Sequence, residues 1–173
     1  KASKDYVAYS SLEYLDLICN RLYTFNITFS IIIPKIVYLN LSHNYLRRFD
    51  GYLFLLNSAD ISFNNLSHFT FHSDLKYIKL NNNLLTGFDG YLTDNFFQIE
   101  HLDLSFNQIT DISTFVNYLQ KTSFLSLKYN DFIENEFEDL FSDLFSKNVY
   151  LQSVSTHDLS EKDIVRFTPL LFR

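Results

Sequence analysis

Ile99-Glu-His-Leu-Asp-Leu-Ser-Phe-Asn-Gln-Ile109 sets the reading of the whole chain. Apolar residues stand at Ile99, Leu102, Leu104 and Ile109, with one asparagine, Asn107, at a fixed offset. The same frame begins at Leu12, Ile36, Leu56, Leu75 and Thr122, and in degenerate form at Val149. Successive starts lie 19 to 27 residues apart, and the variation falls after the asparagine. Within the frame the Leu-x-Leu pair alternates in and out, which predicts a short strand with both leucines on the core side. Stacked frames then form a parallel sheet at roughly 4.8 Å per strand, so seven span roughly 30 Å. The asparagine amide can both donate and accept, and Asn20, Asn44, Asn64, Asn83, Asn107 and Asn130 are expected to form a buried ladder between turns. Phe25, Phe49, Phe69, Phe88 and Ile112, which follow the frame at one offset, are expected to stack as a spine in the returning half of each coil.

A spelling of I-x-x-L-x-L-x-x-N-x-I at this period resembles the leucine-rich repeat family over nearly the whole length. The resemblance implies an α/β leucine-rich repeat solenoid: a curved parallel β-sheet of about seven coils with a helical C-terminal cap. The boundaries read as a lead-in over 1–11, repeats over 12–148, and a degenerate last repeat with its cap over 149–173. Eleven residues offer little cover for Leu12, Leu15 and Leu17, so the N-terminal end of the core is expected to be incomplete or covered by a partner. Toward the other end, Phe137, Leu140, Phe141, Leu144 and Phe145 share one helical face, with Asn135 and Glu138 placed to cap its start. A second short helix starts at Ser160 and stops before Pro169. The apolar tail Leu170-Leu-Phe172 is expected to dock on the first helix or on another subunit. The returning side reads as mostly irregular, and the near-copies Phe49-Asp-Gly-Tyr-Leu53 and Phe88-Asp-Gly-Tyr-Leu92 read as one convex turn repeated.

The bulk properties narrow the function. The chain has 173 residues, 47% of them hydrophobic, and a formal net charge of −6. That charge argues against a nucleic-acid binder, which carries a basic stripe. No apolar run is long enough to span a membrane. The chain opens on Lys1 and holds no methionine, so it reads as a processed product or a fragment. Cys19 is the single cysteine. Without a partner for a disulfide-bonded cap, a cytoplasmic setting is slightly favoured over a secreted one. Asn26, Asn40 and Asn65 match the glycosylation pattern, but the repeat spelling and an asparagine-rich composition generate such matches.

Chemistry is sparse. Three glycines leave almost no room for a phosphate cradle. His68 and His72 lie four apart, as a helical metal pair would, but with no third ligand nearby they read as surface histidines. Cys19 and His43 share a frame position in adjacent coils, yet lack a third group, and read as exposed neighbours. No catalytic residue, metal or cofactor is expected. The informative surface is the outward side of the strands. One column runs Tyr14, Tyr38, Ser58, Tyr77, His101, Phe124, and the next Asp16, Asn40, Asp60, Lys79, Asp103, Ser126. A third, at the strand ends, runs Cys19, His43, Phe63, Asn82, Phe106, Tyr129. Rings beside carboxylates suit protein recognition. The expected partner-binding residues are Tyr14, Tyr38, Asp60, Tyr77, Lys79, His101, Asp103 and Phe124, on a concave face. The protein then reads as a protein–protein interaction module. The alternatives are a structural subunit of a larger assembly, or an extracellular recognition protein, since the Leu-Asn-Leu-Ser-His-Asn44 frame resembles those of invertebrate receptors and immune proteins of the family.

Overall fold

The computed structural model describes residues 11–25, 32–51, 53–71, 75–87, 99–111, 122–132 and 153–155. Among the described residues nine short strands occur in chain order: β1 Tyr14–Asp16, β2 Tyr38–Asn40, β3 Arg48–Gly51, β4 Ser58–Asp60, β5 His68–Phe71, β6 Tyr77–Lys79, β7 His101–Asp103, β8 Phe124–Ser126 and β9 Ser153–Ser155. Seven of them form one sheet in the order β1-β2-β4-β6-β7-β8-β9, every neighbouring pair parallel. The chain is a parallel-sheet solenoid. In this sheet β1, β2, β4, β6, β7 and β8 are each centred on the first residue of the Leu-x-Leu pair rather than spanning both. The second (Leu41, Ile61, Leu80, Leu104, Leu127) is buried where the chain leaves the strand and begins to turn.

The core is a line of frame residues. Leu39, Ala59, Ile78, Leu102 and Leu125 point inward from successive strands and are buried. Thr122 occupies an apolar frame position, and its buried hydroxyl donates to the Ile99 carbonyl at 2.9 Å, which removes the cost of its polarity. On the returning side Phe25, Phe49 and Phe69 stack with ring centroids 5.7 and 5.4 Å apart. Phe88 and Ile112, the other expected spine members, lie outside the described residues. This side is more regular than the composition suggests. β3 and β5 pair in parallel from Arg48 opposite His68 to Gly51 opposite Phe71, and Phe25 bridges to Phe49. Asp50 and Gly51 therefore belong to a strand, not to a turn; the matching stretch 88–92 is not described.

The seventh frame needs correction. Leu125 pairs with Val154, so the strand lies two residues further along than a frame starting at Val149 would place it. A shift of two keeps the same residues on the same face, because side chains alternate with period two. Six coils show the tight turn after the strand, and three show a paired returning segment. The expected count of about seven full coils is therefore not met among the described residues, and no helical cap is seen in them. The expected helices, the 170–172 tail and the lead-in before Ser11 fall outside.

Turn geometry comes from the asparagines. Asn64 Nδ2 donates to Ile61 O in its own coil at 3.1 Å and to Leu41 O in the preceding coil at 3.0 Å, while its Oδ1 accepts from Leu46 N at 3.0 Å. Asn44, Asn83, Asn107 and Asn130 repeat the pattern, and all five are buried. Asn20 departs from the expectation. It is exposed, and among the described residues its side chain bonds only within its own coil, to the carbonyls of Leu17 and Ile18. Leu12, Leu15, Leu17 and Leu22 of that coil are likewise only partly buried. Asn83→Ala is expected to orphan backbone groups in a central coil and to lower stability by roughly 1–3 kcal/mol. Asn20→Ala, at a solvated edge, is expected to stay within about 0.5 kcal/mol of the parent. Urea denaturation measures both, and equal midpoints for the two variants would contradict the ladder's role.

Candidate functional site

The outward side of the long sheet gathers the expected residues by register. Tyr14, Tyr38, Ser58, Tyr77, His101 and Phe124 stand opposite one another in turn, as do Asp16, Asn40, Asp60, Lys79, Asp103 and Ser126. Their exposure is uneven. Tyr14 is 67% exposed and Tyr77 46%, whereas Tyr38, His101 and Phe124 are half-buried. Tyr14 and Tyr38 pack at a tilt 5.9 Å apart, and Ser58 interrupts the column. Tyr77, His101 and Phe124 continue it, with His101 stacked on Phe124 at 4.2 Å. Just before these strands Lys76 and Glu100 form an ion pair at 3.0 Å, and Glu100 also accepts from the Tyr77 hydroxyl at 3.2 Å. The hydrogen bond and charge of Lys76 hold the Glu100 carboxyl below its ordinary pKa, and Glu100 raises that of Lys76 in return.

The second column has a structural duty that the residue types alone do not announce. Asp60 Oδ1 accepts from Ser62 N at 3.1 Å and from its hydroxyl at 2.6 Å. Asp103 holds Ser105 in the same way, at 3.0 and 2.7 Å, and Asn40 holds Ser42 at 3.0 and 2.7 Å. These are side-chain turns that fix the chain as it leaves the strand. They also engage Asn40, a buried residue, so its glycosylation match reflects the repeat spelling. Asp60 Oδ2 meets Lys79 Nζ at 3.5 Å.

The third column, left out of the expected site, is the most unusual. Cys19, His43, Phe63, Asn82, Phe106 and Tyr129 all have φ between 53° and 56°. This left-handed region favours glycine or asparagine, and other residues meet a steric cost there of roughly 1–2 kcal/mol. The conformation aims the amide at the next coil: His43 N donates to Ser62 O at 3.1 Å and Phe106 N to Lys128 O at 2.8 Å. Only Asn82 is a residue that suits the conformation. Four positions carry exposed rings instead, stacked as His43 on Phe63 at 4.3 Å and Phe106 on Tyr129 at 4.2 Å. The frame position directly before the asparagine was the signal that marks them.

Other candidate chemistry does not assemble. His68 lies in β5 with its Nδ1 2.9 Å from Ser67 Oγ, and His72 is not described. Cys19 and His43 are exposed turn residues, and His43 is engaged with Phe63. Among the described residues no three His, Cys, Asp or Glu side chains cluster as metal ligands would, and no helix is long and apolar enough to cross a membrane.

A family model, that of the leucine-rich repeat, matches residues 98–119. No curated protein matches the chain. Among solved structures, the functional domain of InlJ from Listeria monocytogenes, described as including a cysteine ladder, is similar at 18% identity with a TM-score of 0.42. The match covers 86% of this chain and 40% of that one, so the chain spans well under half of its length.

Burial pushes the His101 imidazole below its ordinary pKa, and Lys79 adds to the effect, against Asp103 and a backbone hydrogen bond that raise it. Between the lowered folded value and the unfolded value the unfolded chain binds more protons. This part of the stability is therefore present above about pH 6.5 and is lost as the pH falls through that window. An NMR titration is expected to place His101 below the histidine of an unfolded peptide, and Phe124→Ala, by opening the ring to water, to move it back up. An unshifted titration in the parent would contradict this.

Proposed function

We propose that this protein, built of leucine-rich repeats, is a non-enzymatic protein-binding module. It holds its partner on the outward, concave face of the long sheet through Tyr14, Tyr38, Asp60, Tyr77, Lys79, His101, Asp103 and Phe124, extended by the exposed rings at the strand ends. One observation carries the reading. Four rings occupy a backbone conformation that taxes them, and all four are exposed. The fold asks for asparagine or glycine there, so the rings answer some other requirement. Surface rings held rigidly by stacking add contact area at little cost in entropy on binding. Solenoids offer such extended surfaces because each coil repeats the same outward positions. The proposal covers about seven coils closed by a helical cap, and a partner that is a protein or an assembly of proteins.

The second reading is a structural subunit held by its other surfaces. Phe54 and Leu55, 73% and 56% exposed in the turn between β3 and β4, favour it. Capture with the intact protein, followed by mass spectrometry, supplies the partner. Tyr77→Ala and Phe124→Ala are then expected to weaken binding by roughly 2 kcal/mol each while the fold survives, as judged by circular dichroism. Unchanged affinity in both, with loss on replacing Phe54 and Leu55 by serine, would put the subunit reading in place of the sheet-face one.

A further inference from the structure

The second column distinguishes its two best-placed carboxylates. Asp60 and Asp103 each commit Oδ1 to a serine two residues on. Asp60 then spends Oδ2 on Lys79. Asp103 makes no ion pair among the described residues, although Lys79 stands opposite it in register and Lys128 follows β8. The fold does not require its charge. Asn40, at the equivalent position, holds Ser42 with the same two bonds and no charge at all. Along the chain Asp103 is framed by the two closest ring stacks of β7 and β8, His101 on Phe124 before it and Phe106 on Tyr129 after it. Each ring turns one face into its stack, so apolar edges and an outer face are what it offers a partner.

We propose that Asp103 is an anchor for a lysine side chain of the protein partner, an inference that rests on the sheet-face reading above. A long apolar stem suits the ring edges on either side, with a cationic head reaching the uncommitted Oδ2. Oδ1 already accepts two hydrogen bonds, which fills its lone pairs. The two-oxygen fork that an arginine prefers is thereby denied, and a compact ammonium is favoured. The formal net charge of −6 draws a basic segment toward the face.

The test uses the full chain, fluorescently labelled, on immobilised pentapeptide pools with one fixed central residue: lysine, arginine, norleucine or glutamate. The parent is expected to be retained best by the lysine pool. Asp103→Asn, which keeps the turn as Asn40 shows, is expected to cut that retention roughly ten-fold. Asp16→Asn makes the same charge change in a coil whose turn carries Cys19 instead of a ring, and is expected to leave retention within about two-fold. Equal loss in both variants would reduce the effect to net charge and overturn the anchor. So would a preference for arginine, or lysine retention untouched by Asp103→Asn. In those cases a fall with Phe124→Ala across all pools keeps the sheet face as the binding surface. If neither Asp103→Asn nor Phe124→Ala changes any pool, the sheet-face reading fails as well.

Discussion

A shared carbonyl holds the coils together. The oxygens of Leu17, Leu41, Ile61, Leu80 and Leu104 each accept one amide hydrogen bond from the asparagine of their own coil and a second from the asparagine of the next. Both lone pairs are used, and each amide from Asn44 to Asn130 returns its oxygen to the backbone of the coil before. The line runs without a gap from Leu17 to Asn130. It lets the turn be buried, because a buried turn without partners would leave backbone groups unpaired at roughly 1–3 kcal/mol each. Everything on the outer face inherits its spacing from this line: a fixed turn gives a fixed strand start, and a fixed strand start puts like residues side by side.

That dependence explains what could be read from the residues and what could not. The Leu-x-x-Leu-x-Leu-x-x-Asn spacing is an interaction between neighbouring coils written into the chain, so strand positions and columns follow from it directly. Frames with weak spelling mislead for the same reason. Around Val149 no asparagine pins the frame, and a register two residues away satisfies the apolar alternation equally well, as the pairing of Val154 with Leu125 shows. The returning side carries no such marker. Asp50-Gly51 looks like a turn locally, and only packing of Phe49 between Phe25 and Phe69 draws it into a strand. Tertiary packing overrode a local signal there.

The site was legible in part. The columns of Tyr77, His101 and Phe124, and of Asp60, Lys79 and Asp103, come straight from counting. Their differing roles do not. Whether a carboxylate is free depends on what its second oxygen meets, and that is a property of three dimensions. The ring positions at the strand ends were countable too, but their backbone strain was not, and the strain separates an ordinary surface ring from one that the fold itself would not choose.

The ladder also has a direction. Each asparagine is a side chain of one coil that completes the backbone of the coil before it. Stripping a coil from the leading side leaves an asparagine facing water, as Asn20 is, and water can satisfy an amide. Stripping one from the trailing side takes the acceptor from a backbone amide such as that of Leu46 or Leu85 and uncovers apolar residues of the coil left behind. Shortening the array from its two sides is therefore not equivalent: a truncation at the front hydrates, while one at the back needs a new cap.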